Sequence, residues 1–292
     1  MKTVTFQETI RALEDYWAQQ GCLIEQPYDV EMGAGTMHPG TFLRALGPEP
    51  WKLACVQPSR RPADSRYGDN PYRLFRHYQY QVVLKPSPDN AQELYLDSLR
   101  ELGFDPRHHD IRFMEDDWDY PALGASGVGW QVWLDGLEVT QFTYFQIAGG
   151  QELSPVSLEL TYGLERLCMA IQGVSHYQVL RWNDTLTYGE IMRQTEYEWG
   201  RYTFELADPG LLRQRFDENE REAHRLLDAE ALLPAYDLTL KCSHAFNQLD
   251  ARGMVSVTQR AGFVARVRTL AGRCAHVYLK QREAMGFPLL SA

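Results

Sequence analysis

Two predicted strands around a long polar loop constrain the fold of this chain most. Residues 52–57 and 77–84 are rich in aromatic and β-branched side chains, which suit the pleated surface of a sheet. The segment between them carries several arginines and no lysine. A loop of this length is uncommon inside a compact domain and is usually functional. The sequence therefore predicts a strand–loop–strand unit whose loop takes part in binding or chemistry.

The loop and its second strand have the composition of a nucleotide site. The arginines of this segment are Arg60, Arg61, Arg66, Arg73 and Arg76. Arginine suits planar, bidentate recognition of phosphate. Alternation along the second strand places Tyr78 and Tyr80 on one face and Gln79 and Gln81 on the other. One interpretation is a nucleotide whose base stacks on a ring while its phosphates meet the guanidinium groups. The other is a solvated, charged hairpin tip, and residue types alone leave both open.

A second hairpin carries a carboxylate in the middle of a strand. Asp135-Gly136 between two alternating runs is the strongest short hairpin signal. Glu138 follows it, and a carboxylate in a strand needs a partner or a metal ion. Gln141 lies three residues further on, and on a regular strand it faces the opposite way. Joint ligation of a metal by the two side chains would therefore need a β-bulge.

Two glycine-containing segments are further candidates for the site. Residues 31–40 are rich in glycine but match neither the P-loop nor the dinucleotide-binding pattern. Gly163 precedes a predicted helix whose first turn holds Arg166. A cation at that position is unfavourable with the helix dipole unless an anion is near, which hints at a bound phosphate. The alternative is an ordinary solvent-exposed arginine.

Helix signals and composition set the architecture. Thr5, Thr187 and Ser256 each precede a Glu or Gln by three residues, as in a capping box. Helical spacing dominates from about residue 187 onward. Residues 187–292 are therefore expected to form a helical domain, after a first part, residues 1–186, that combines predicted strands and helices.

Charge and cysteine content exclude several classes of protein. The 292-residue chain has a net charge of −10, so it is a poor unaided binder of nucleic acid. Basic residues concentrate after residue 251, including Arg260, Arg266, Arg268 and Arg273, and these are expected either to touch RNA or a partner chain or to form a solvated helix face. The five scattered cysteines suggest buried free thiols rather than disulfides or zinc. No apolar run reaches membrane-spanning length, and a cytoplasmic location is expected.

Three stretches in order carry a family resemblance. A helix and strand lead to Pro39, the arginine loop contains Arg60, and a strand–glycine–helix unit contains Arg166. They resemble motifs 1, 2 and 3 of class II aminoacyl-tRNA synthetases. The strings VQPSRRPADSRYGDNP, EVTQFTYFQ, ELTYGLERL and LDARGMVSVTQR look more closely like the α chain of bacterial heterotetrameric glycyl-tRNA synthetase. The resemblance covers nearly the whole chain.

The resemblance implies a fold, a reaction and an assembly. The implied fold is of the α+β class, with a class II synthetase-type antiparallel sheet flanked by helices in residues 1–186. The implied reaction is activation of glycine with ATP to glycyl-adenylate, followed by transfer to tRNA(Gly). The implied partners are a second α chain and a larger β chain that handles most tRNA recognition, in an α2β2 heterotetramer. Two alternatives remain: a catalytically silent, synthetase-like regulatory subunit, and an adenylate-forming ligase for another carboxylate. Loss of a paired arginine or of the metal-binding acid would favour the silent subunit, and the chain keeps these residues.

The resemblance also assigns roles in ATP binding. Arg60 is the implied ligand of the α-phosphate, with Arg61 as the alternative, because position 62 is Pro where the usual Arg-x-Glu pattern has an acid. Arg166 is placed at the adenine and γ-phosphate end, and Arg60 and Arg166 are the implied catalytic residues. Tyr80 is expected to stack on adenine, and Arg73 and Arg76 are further ATP-binding candidates. Glu138, with Gln141 nearby, matches the metal-binding position for Mg²⁺ that accompanies ATP.

Glycine offers no side chain to read, so selectivity must come from gripping its two ends and excluding larger side chains. Glu159 lies on the strand that feeds the Arg166 helix and is expected to bind the substrate ammonium. Trp118 is expected to close the space where a side chain would project. The secondary candidates for polar contacts with glycine are Gln79, Gln81 and Thr161.

Overall fold

The structure is a computed structural model that describes residues 4–291. The first three residues and the last one, which belong to the outer ends of the two predicted domains, lie outside the described residues. Within the described part, a seven-stranded sheet is flanked by helices and followed by a run of helices, so the predicted α+β class is confirmed.

The sheet has the strand order β1-β2-β3-β7-β6-β5-β4. Strands β1 and β2 pair in parallel, and each further pair of neighbours is antiparallel. The strands are β1 Leu23–Glu25, β2 Trp51–Arg60, β3 Arg76–Lys85, β4 Ile111–Tyr120, β5 Ala125–Leu134, β6 Leu137–Ala148 and β7 Gln151–Gly163. The first predicted hairpin is thus the pair β2–β3, with the arginine loop between its strands.

Eight α-helices surround and follow the sheet in the described residues. They are α1 Phe6–Gln19, α2 Pro39–Ala45, α3 Ala91–Glu101, α4 Leu164–Gln172, α5 Tyr188–Arg201, α6 Pro209–Asp228, α7 Leu232–Ala251 and α8 Val257–Ala284. The capping boxes predicted at Thr5, Thr187 and Ser256 are all confirmed. These starts follow from chemistry that lies within four residues, which is why the sequence alone located them.

The turn between β5 and β6 is the predicted Asp135-Gly136 hairpin. Both residues have positive φ angles, 50° and 84°, as a two-residue turn of the I′ type requires. This geometry fixes the pairing of Leu134 with Leu137 and starts the β5–β6 ladder. The turn therefore sets the register of the strand that carries Glu138.

Two hydrophobic clusters hold the elements together. One fills the space between the sheet and α1, α3, α4 and the start of α5, with Trp17, Tyr95 and Tyr162 at its centre. The other joins α2 and one end of the sheet to α6, α7 and α8. Tyr188 belongs to the first cluster although it follows the expected boundary at residues 186 and 187. The division into two domains stays a prediction. Each of the two clusters contains side chains from both sides of the expected boundary.

The five cysteines are all buried free thiols, as expected. Burial raises the pKa of Cys55 and of Cys168 to about 12, so both stay protonated at neutral pH. They pack as small apolar side chains.

Candidate active site

A cavity of about 360 Å³ opens on one face of the sheet. Its floor includes Gln79 of β3, Gln141 of β6 and Thr161 of β7. Its walls carry three cations: Arg61 and Arg73 of the arginine loop and Arg166 of α4. The cavity thus brings the loop, the sheet and the helix after Gly163 together, although up to about 100 residues separate them in the chain.

Strand alternation explains why the floor is polar. Gln81 of β3 is paired with Thr161 of β7, which is in turn paired with Gln141 of β6. The next rung joins Tyr80, Tyr162 and Thr140. Because successive side chains point to opposite faces, the polar rung faces the cavity and the aromatic rung faces the core.

Tyr80 is not in the cavity. Its side chain is fully buried in the cluster beneath the sheet, 6.0 Å from the ring of Tyr162 in an edge-to-face contact. Stacking of adenine on Tyr80 is therefore a wrong prediction. The tyrosine and glutamine faces of β3 are separated as expected, but the tyrosine face meets α1 and α4 instead of a ligand.

Arg61, not Arg60, reaches the cavity. Ser59 donates a hydrogen bond to Gln79 on the cavity side, so the next side chain along β2 turns the other way. The guanidinium of Arg60 lies 5.2 Å from the ring centre of Trp199, outside the lining of the cavity. Arg61 lines the cavity and donates to the Gly33 carbonyl at 3.3 Å. Of the two arginines that the sequence offers for the α-phosphate, Arg61 is therefore the one that lines the cavity.

The other two arginines predicted to bind ATP are placed differently from each other. Arg73 lines the cavity and forms an ion pair with Asp64 at 2.6 Å. Arg76 is absent from the lining, and its guanidinium lies 3.4 Å from the sulfur of Met192 and 6.0 Å from the ring of Tyr78. Arg76 therefore does not reach the cavity, because it shares the core-facing side of β3 with Tyr78.

Glu138 and Arg166 are partners. The two side chains form an ion pair at 3.1 Å, and both are about one-third exposed. Glu138 supplies the anion that Arg166 needs near the start of a helix, and Arg166 supplies the partner that a carboxylate in a strand needs. Both line the cavity, so an incoming anion or cation would compete with this pair.

The bulge that joint use of Glu138 and Gln141 would need is present. The register shifts between Val132 and Trp133, so that Thr140 pairs with Val132 while Glu138 pairs with Trp133. Both candidate ligands consequently line the cavity. Gln141 is held by a hydrogen bond from its amide to Asp116 at 2.9 Å.

Glu159 lies directly under the cavity rather than in it. Its side chain is 1% exposed, and its oxygens accept hydrogen bonds from Gln81, at 2.5 Å, and from Thr36. Gln81 in turn accepts a hydrogen bond from Thr161 at 2.8 Å. Burial raises the pKa of Glu159 to about 7. The predicted direct contact of Glu159 with an ammonium group is not possible while Thr36 covers it.

The glycine-rich segment forms the lid over this buried network. A Cβ on Gly35 would lie 2.5 Å from the Gln81 amide oxygen, so only glycine allows the segment to come this close. The Gly35 amide donates to Gln79 at 2.8 Å, and neighbouring Ala34 and Thr36 line the cavity. The glycine content marked this segment in the sequence, but no known pattern assigned it to a site.

Sequence reasoning missed two titratable residues that line the cavity. His77 lies near Arg61 and Arg166, and burial followed by these two cations holds its pKa well below the usual range. Glu165 is buried and accepts hydrogen bonds from the Tyr78 amide and the Tyr188 hydroxyl, at 2.8 and 2.7 Å. Burial raises the pKa of Glu165 to about 7. The imidazole is therefore neutral at neutral pH, and the cationic wall consists of arginines.

Trp118 lines the cavity. Its ring packs edge-to-face on Phe145 at 5.7 Å and lies 6.3 Å from the ring of Tyr120, which also lines the cavity. Trp118 thus both packs against the core and lines the cavity, and its role in excluding larger substrates stays a prediction.

The C-terminal arginines are engaged within the chain. Arg266 pairs with Asp217 and Glu220 of α6, at 2.6 and 2.5 Å, and Arg273 pairs with Asp228 at 2.5 Å. These ion pairs tie α8 to α6. Arg260 pairs with Asp250 of α7, and Arg268 donates to the Pro121 carbonyl. All four predicted arginines are thus engaged with groups of the same chain.

The glycyl-tRNA synthetase alpha subunit family model matches residues 6–283. The chain belongs to this family. It is therefore part of an aminoacyl-tRNA synthetase, an enzyme that joins an amino acid to tRNA, and the recognition made on the motif strings is confirmed.

Two solved structures of pyrrolysyl-tRNA synthetase from Desulfitobacterium hafniense are similar to the chain. Both are 14% identical over 63% of this chain, and the matches cover 72% and 75% of those chains, with TM-scores of 0.44 and 0.43. At this level they support no residue assignment in this family member.

No helix between residues 4 and 291 is long and apolar enough to cross a membrane.

Proposed function

We propose that the chain activates glycine with ATP, forming glycyl-adenylate and pyrophosphate, and that it transfers the glycyl group to tRNA(Gly) together with a β chain. The observation that carries the proposal is the family match over residues 6–283. The cavity supports it, because three arginines converge there on a polar sheet face. A nucleoside triphosphate and a small zwitterion need these two features.

The activation step requires positioning more than proton transfer. A carboxylate oxygen of glycine attacks the α-phosphorus, a new C–O–P linkage forms, and the bond from the α-phosphorus to the bridging oxygen breaks to release pyrophosphate. The carboxylate of glycine is already ionised, so no general base is needed. Holding the two reactants in line and neutralising phosphate charge supply the rate acceleration.

The arginines divide the triphosphate between them in this proposal. Arg61 neutralises the α-phosphate, since it replaces Arg60 at the cavity wall. Arg73 and Arg166 meet the outer phosphates, and Arg166 leaves part of its ion pair with Glu138 to do so. Neutral His77 can donate one hydrogen bond to a phosphate oxygen without adding charge.

Magnesium enters as part of the substrate, MgATP, and when bound it neutralises phosphate charge. Glu138 and Gln141 are the protein oxygens that would hold it, and the bulge at β6 presents both to the cavity. Among residues 4–291 there is no group of three or more acidic, histidine or cysteine side chains that could hold a metal ion. One carboxylate plus substrate phosphates suits Mg²⁺, whereas a cage made only of protein ligands does not.

Glycine binds at the Trp118 end of the cavity in this proposal. The hydroxyl oxygens of Thr161 and Thr36 are offered to the substrate ammonium, and Glu159 lies one layer beneath them. Gln79 borders the same site, but its amide oxygen already accepts from Gly35 and Ser59. The Glu159 carboxylate holds Gln81 and Thr36 in place and adds negative potential under the ammonium. Trp118 and Tyr120 fill the space that a larger side chain would need.

The assembly is part of the same proposal. A net charge of −10 and internal pairing of the C-terminal arginines leave this chain poorly suited to hold tRNA alone. A β chain that supplies most of the tRNA contacts, and an α dimer at the centre of an α2β2 enzyme, account for that deficit. The expected location of this assembly is the cytoplasm.

Amino-acid-dependent exchange of pyrophosphate into ATP tests the proposal. The purified chain, alone and with its copurifying partner, is assayed against glycine, alanine, serine and a panel of other carboxylates. Exchange that depends on glycine is expected, and tRNA charging should be efficient only with the partner. Exchange with a different carboxylate, or none in either preparation, would overturn the proposal in favour of another ligase or a silent subunit.

A further inference from the structure

The arginine loop between β2 and β3 is held by residues that follow it by more than 100 positions. At its tip, the Gly68 carbonyl accepts hydrogen bonds from the Tyr177 hydroxyl at 3.0 Å and the Gln178 amide at 2.5 Å. Gly68 has a φ of 83°, a conformation that other residues rarely adopt. The tip of the loop is therefore held by residues 177 and 178, in the segment before α5.

The exit of the loop has a second anchor on α5. The two carboxylate oxygens of Glu196 accept hydrogen bonds from the backbone amides of Phe75, at 2.6 Å, and Arg76, at 3.1 Å. Glu196 is fully buried, and burial raises its pKa. No guanidinium or ammonium group among residues 4–291 forms an ion pair with it within 4.0 Å. The two backbone hydrogen bonds and the more distant charge of Arg76 oppose the rise in its pKa. A buried carboxylate is costly unless it is hydrogen-bonded, and here the hydrogen bonds come from the backbone at the end of the loop.

Aromatic packing and a close approach of α5 also hold the loop in place. Phe75 stacks on Trp199 of α5, with ring centres 4.6 Å apart and planes 6° from parallel. A Cβ on Gly200 would lie 3.0 Å from Ser65 and from Tyr67, so α5 lies directly against the loop. Helix α5 thus contacts the loop near its start, at Ser65 and Tyr67, and near its end, at Phe75.

The anchored residues are flanked by cavity residues. Arg73 and Leu74 precede the two amides that Glu196 holds, and His77 follows them, and all three line the cavity. A shift of about 1 Å in this segment would displace the Arg73 and His77 side chains from a bound triphosphate. The contacts of Trp118 and Thr161 lie elsewhere: Trp118 packs against Phe145 and Tyr120, and Thr161 donates to Gln81.

We propose that Glu196 is a positioning residue for ATP, which fixes the end of the arginine loop through the Phe75 and Arg76 amides. The inference rests on the proposed function for the identity of the nucleotide. It assigns to α5, outside the sheet, control over ATP affinity with little influence on glycine. It also means that the helical half of the chain shapes the nucleotide end of the cavity.

The test compares Glu196→Gln with Glu198→Gln in the full chain. Glu198 is exposed on the same helix, and its side chain accepts a hydrogen bond from Gln194. Its substitution removes the same charge away from the two amides that Glu196 holds. Glu196→Gln should raise the KM for ATP about tenfold while the KM for glycine changes less than about twofold. Glu198→Gln should leave both unchanged. Glu196→Asp, which keeps the acceptor but shortens the reach, should fall between wild type and Glu196→Gln.

Direct ATP binding by equilibrium dialysis separates failure of this inference from failure of the proposed function. Wild-type protein that binds ATP but shows no glycine-dependent exchange contradicts the proposed function and leaves the Glu196 comparison measurable. An unchanged ATP affinity in folded Glu196→Gln overturns the inference, and so do equal rises in both KM values. If Glu196→Gln does not fold, Glu196→Asp decides instead. It should weaken ATP binding in the same selective way, and unchanged binding overturns the inference.

Discussion

The two faces of the central strands differ in what a buried side chain does. On the core face, Tyr80 and Tyr162 pack against other rings and against α1 and α3. On the cavity face, Gln81 and Glu159 are equally buried but belong to a hydrogen-bonded network. The strands are the same, and a shift of one residue exchanges the two environments. Substitutions on the core face should therefore affect stability, and those on the cavity face should affect substrate binding.

The largest effect is expected on the core face. Tyr162→Ala removes a fully buried ring that contacts Tyr95 and Tyr80, and its hydroxyl lies 2.7 Å from that of Ser98. The unfolding free energy should fall by about 3–5 kcal/mol, as for other large aromatic truncations. Gln79→Ala on the cavity face removes the acceptor of the Gly35 amide and the Ser59 hydroxyl. It should cost less, about 1–3 kcal/mol, because water from the cavity can take the place of the lost acceptor. Urea denaturation measures both, and equal losses would break the contrast between the faces.

The next effect is on catalysis and uses neighbouring arginines. Arg61→Ala and Arg166→Ala should each lower kcat/KM for pyrophosphate exchange by roughly 100- to 1,000-fold, the usual cost of one charge-stabilising contact to a transition state. Arg60→Ala should lower it less than about tenfold, because Arg60 lies over Trp199 outside the cavity. A larger loss of kcat/KM in Arg60→Ala than in Arg61→Ala would show that Arg60, not Arg61, is the arginine that contacts the substrate.

These arginines show what the sequence could and could not predict. Local chemistry located the capping boxes and the Asp135-Gly136 turn, and family motifs located the loop. The sequence also separated the two faces of β3, with Gln79 opposite Tyr80. Which face of β3 packs against α1 and which lines the cavity depends on the packing of elements that are distant in sequence. For this reason the prediction that Tyr80 lies on the binding face is wrong. The anchor at Glu196 lies about 120 residues from the loop, with no local signal to reveal it.

A third effect is a pH dependence confined to the cavity face. Burial raises the pKa of Glu159 to about 7, above the usual unfolded value of about 4.3. Its contribution to stability is therefore fully present below the unfolded pKa and is lost as the pH rises toward the folded one. Between about pH 5 and about pH 8, the unfolding free energy of wild type should fall by ~2–3 kcal/mol relative to Glu159→Gln. A difference that stays constant with pH would show that Glu159 is ionised throughout.

A smaller effect concerns glycine selectivity. Trp118→Ala opens space beside Tyr120 and Phe145, where the side chain of alanine would project. The ratio of kcat/KM for glycine over alanine should narrow by about tenfold, within the ~1–3 kcal/mol that one methylene group can discriminate. The KM for ATP serves as the internal control and should not change. An unaltered ratio in a folded variant would move the selectivity filter away from Trp118.

The smallest effect is expected from Tyr80→Phe. In the described part of the chain the Tyr80 hydroxyl is buried without a hydrogen-bond partner, so its removal relieves an uncompensated polar group. Stability should change by less than about 0.5 kcal/mol or rise slightly, and exchange kinetics should match wild type. Loss of ATP affinity in this variant would return Tyr80 to the adenine site and contradict the division between the faces.

A crystal structure with a non-hydrolysable glycyl-adenylate analogue, glycyl-sulfamoyl adenosine, tests most directly whether the polar face of the sheet is the activation site. The sulfamoyl group should lie within hydrogen-bond distance of Arg61, with the ammonium end over Gln79 and Thr161 and near Trp118. Tyr80 should remain buried beneath the sheet. An analogue bound on the Arg60 and Trp199 side, or away from the cavity between Arg61 and Arg166, would contradict the assignment.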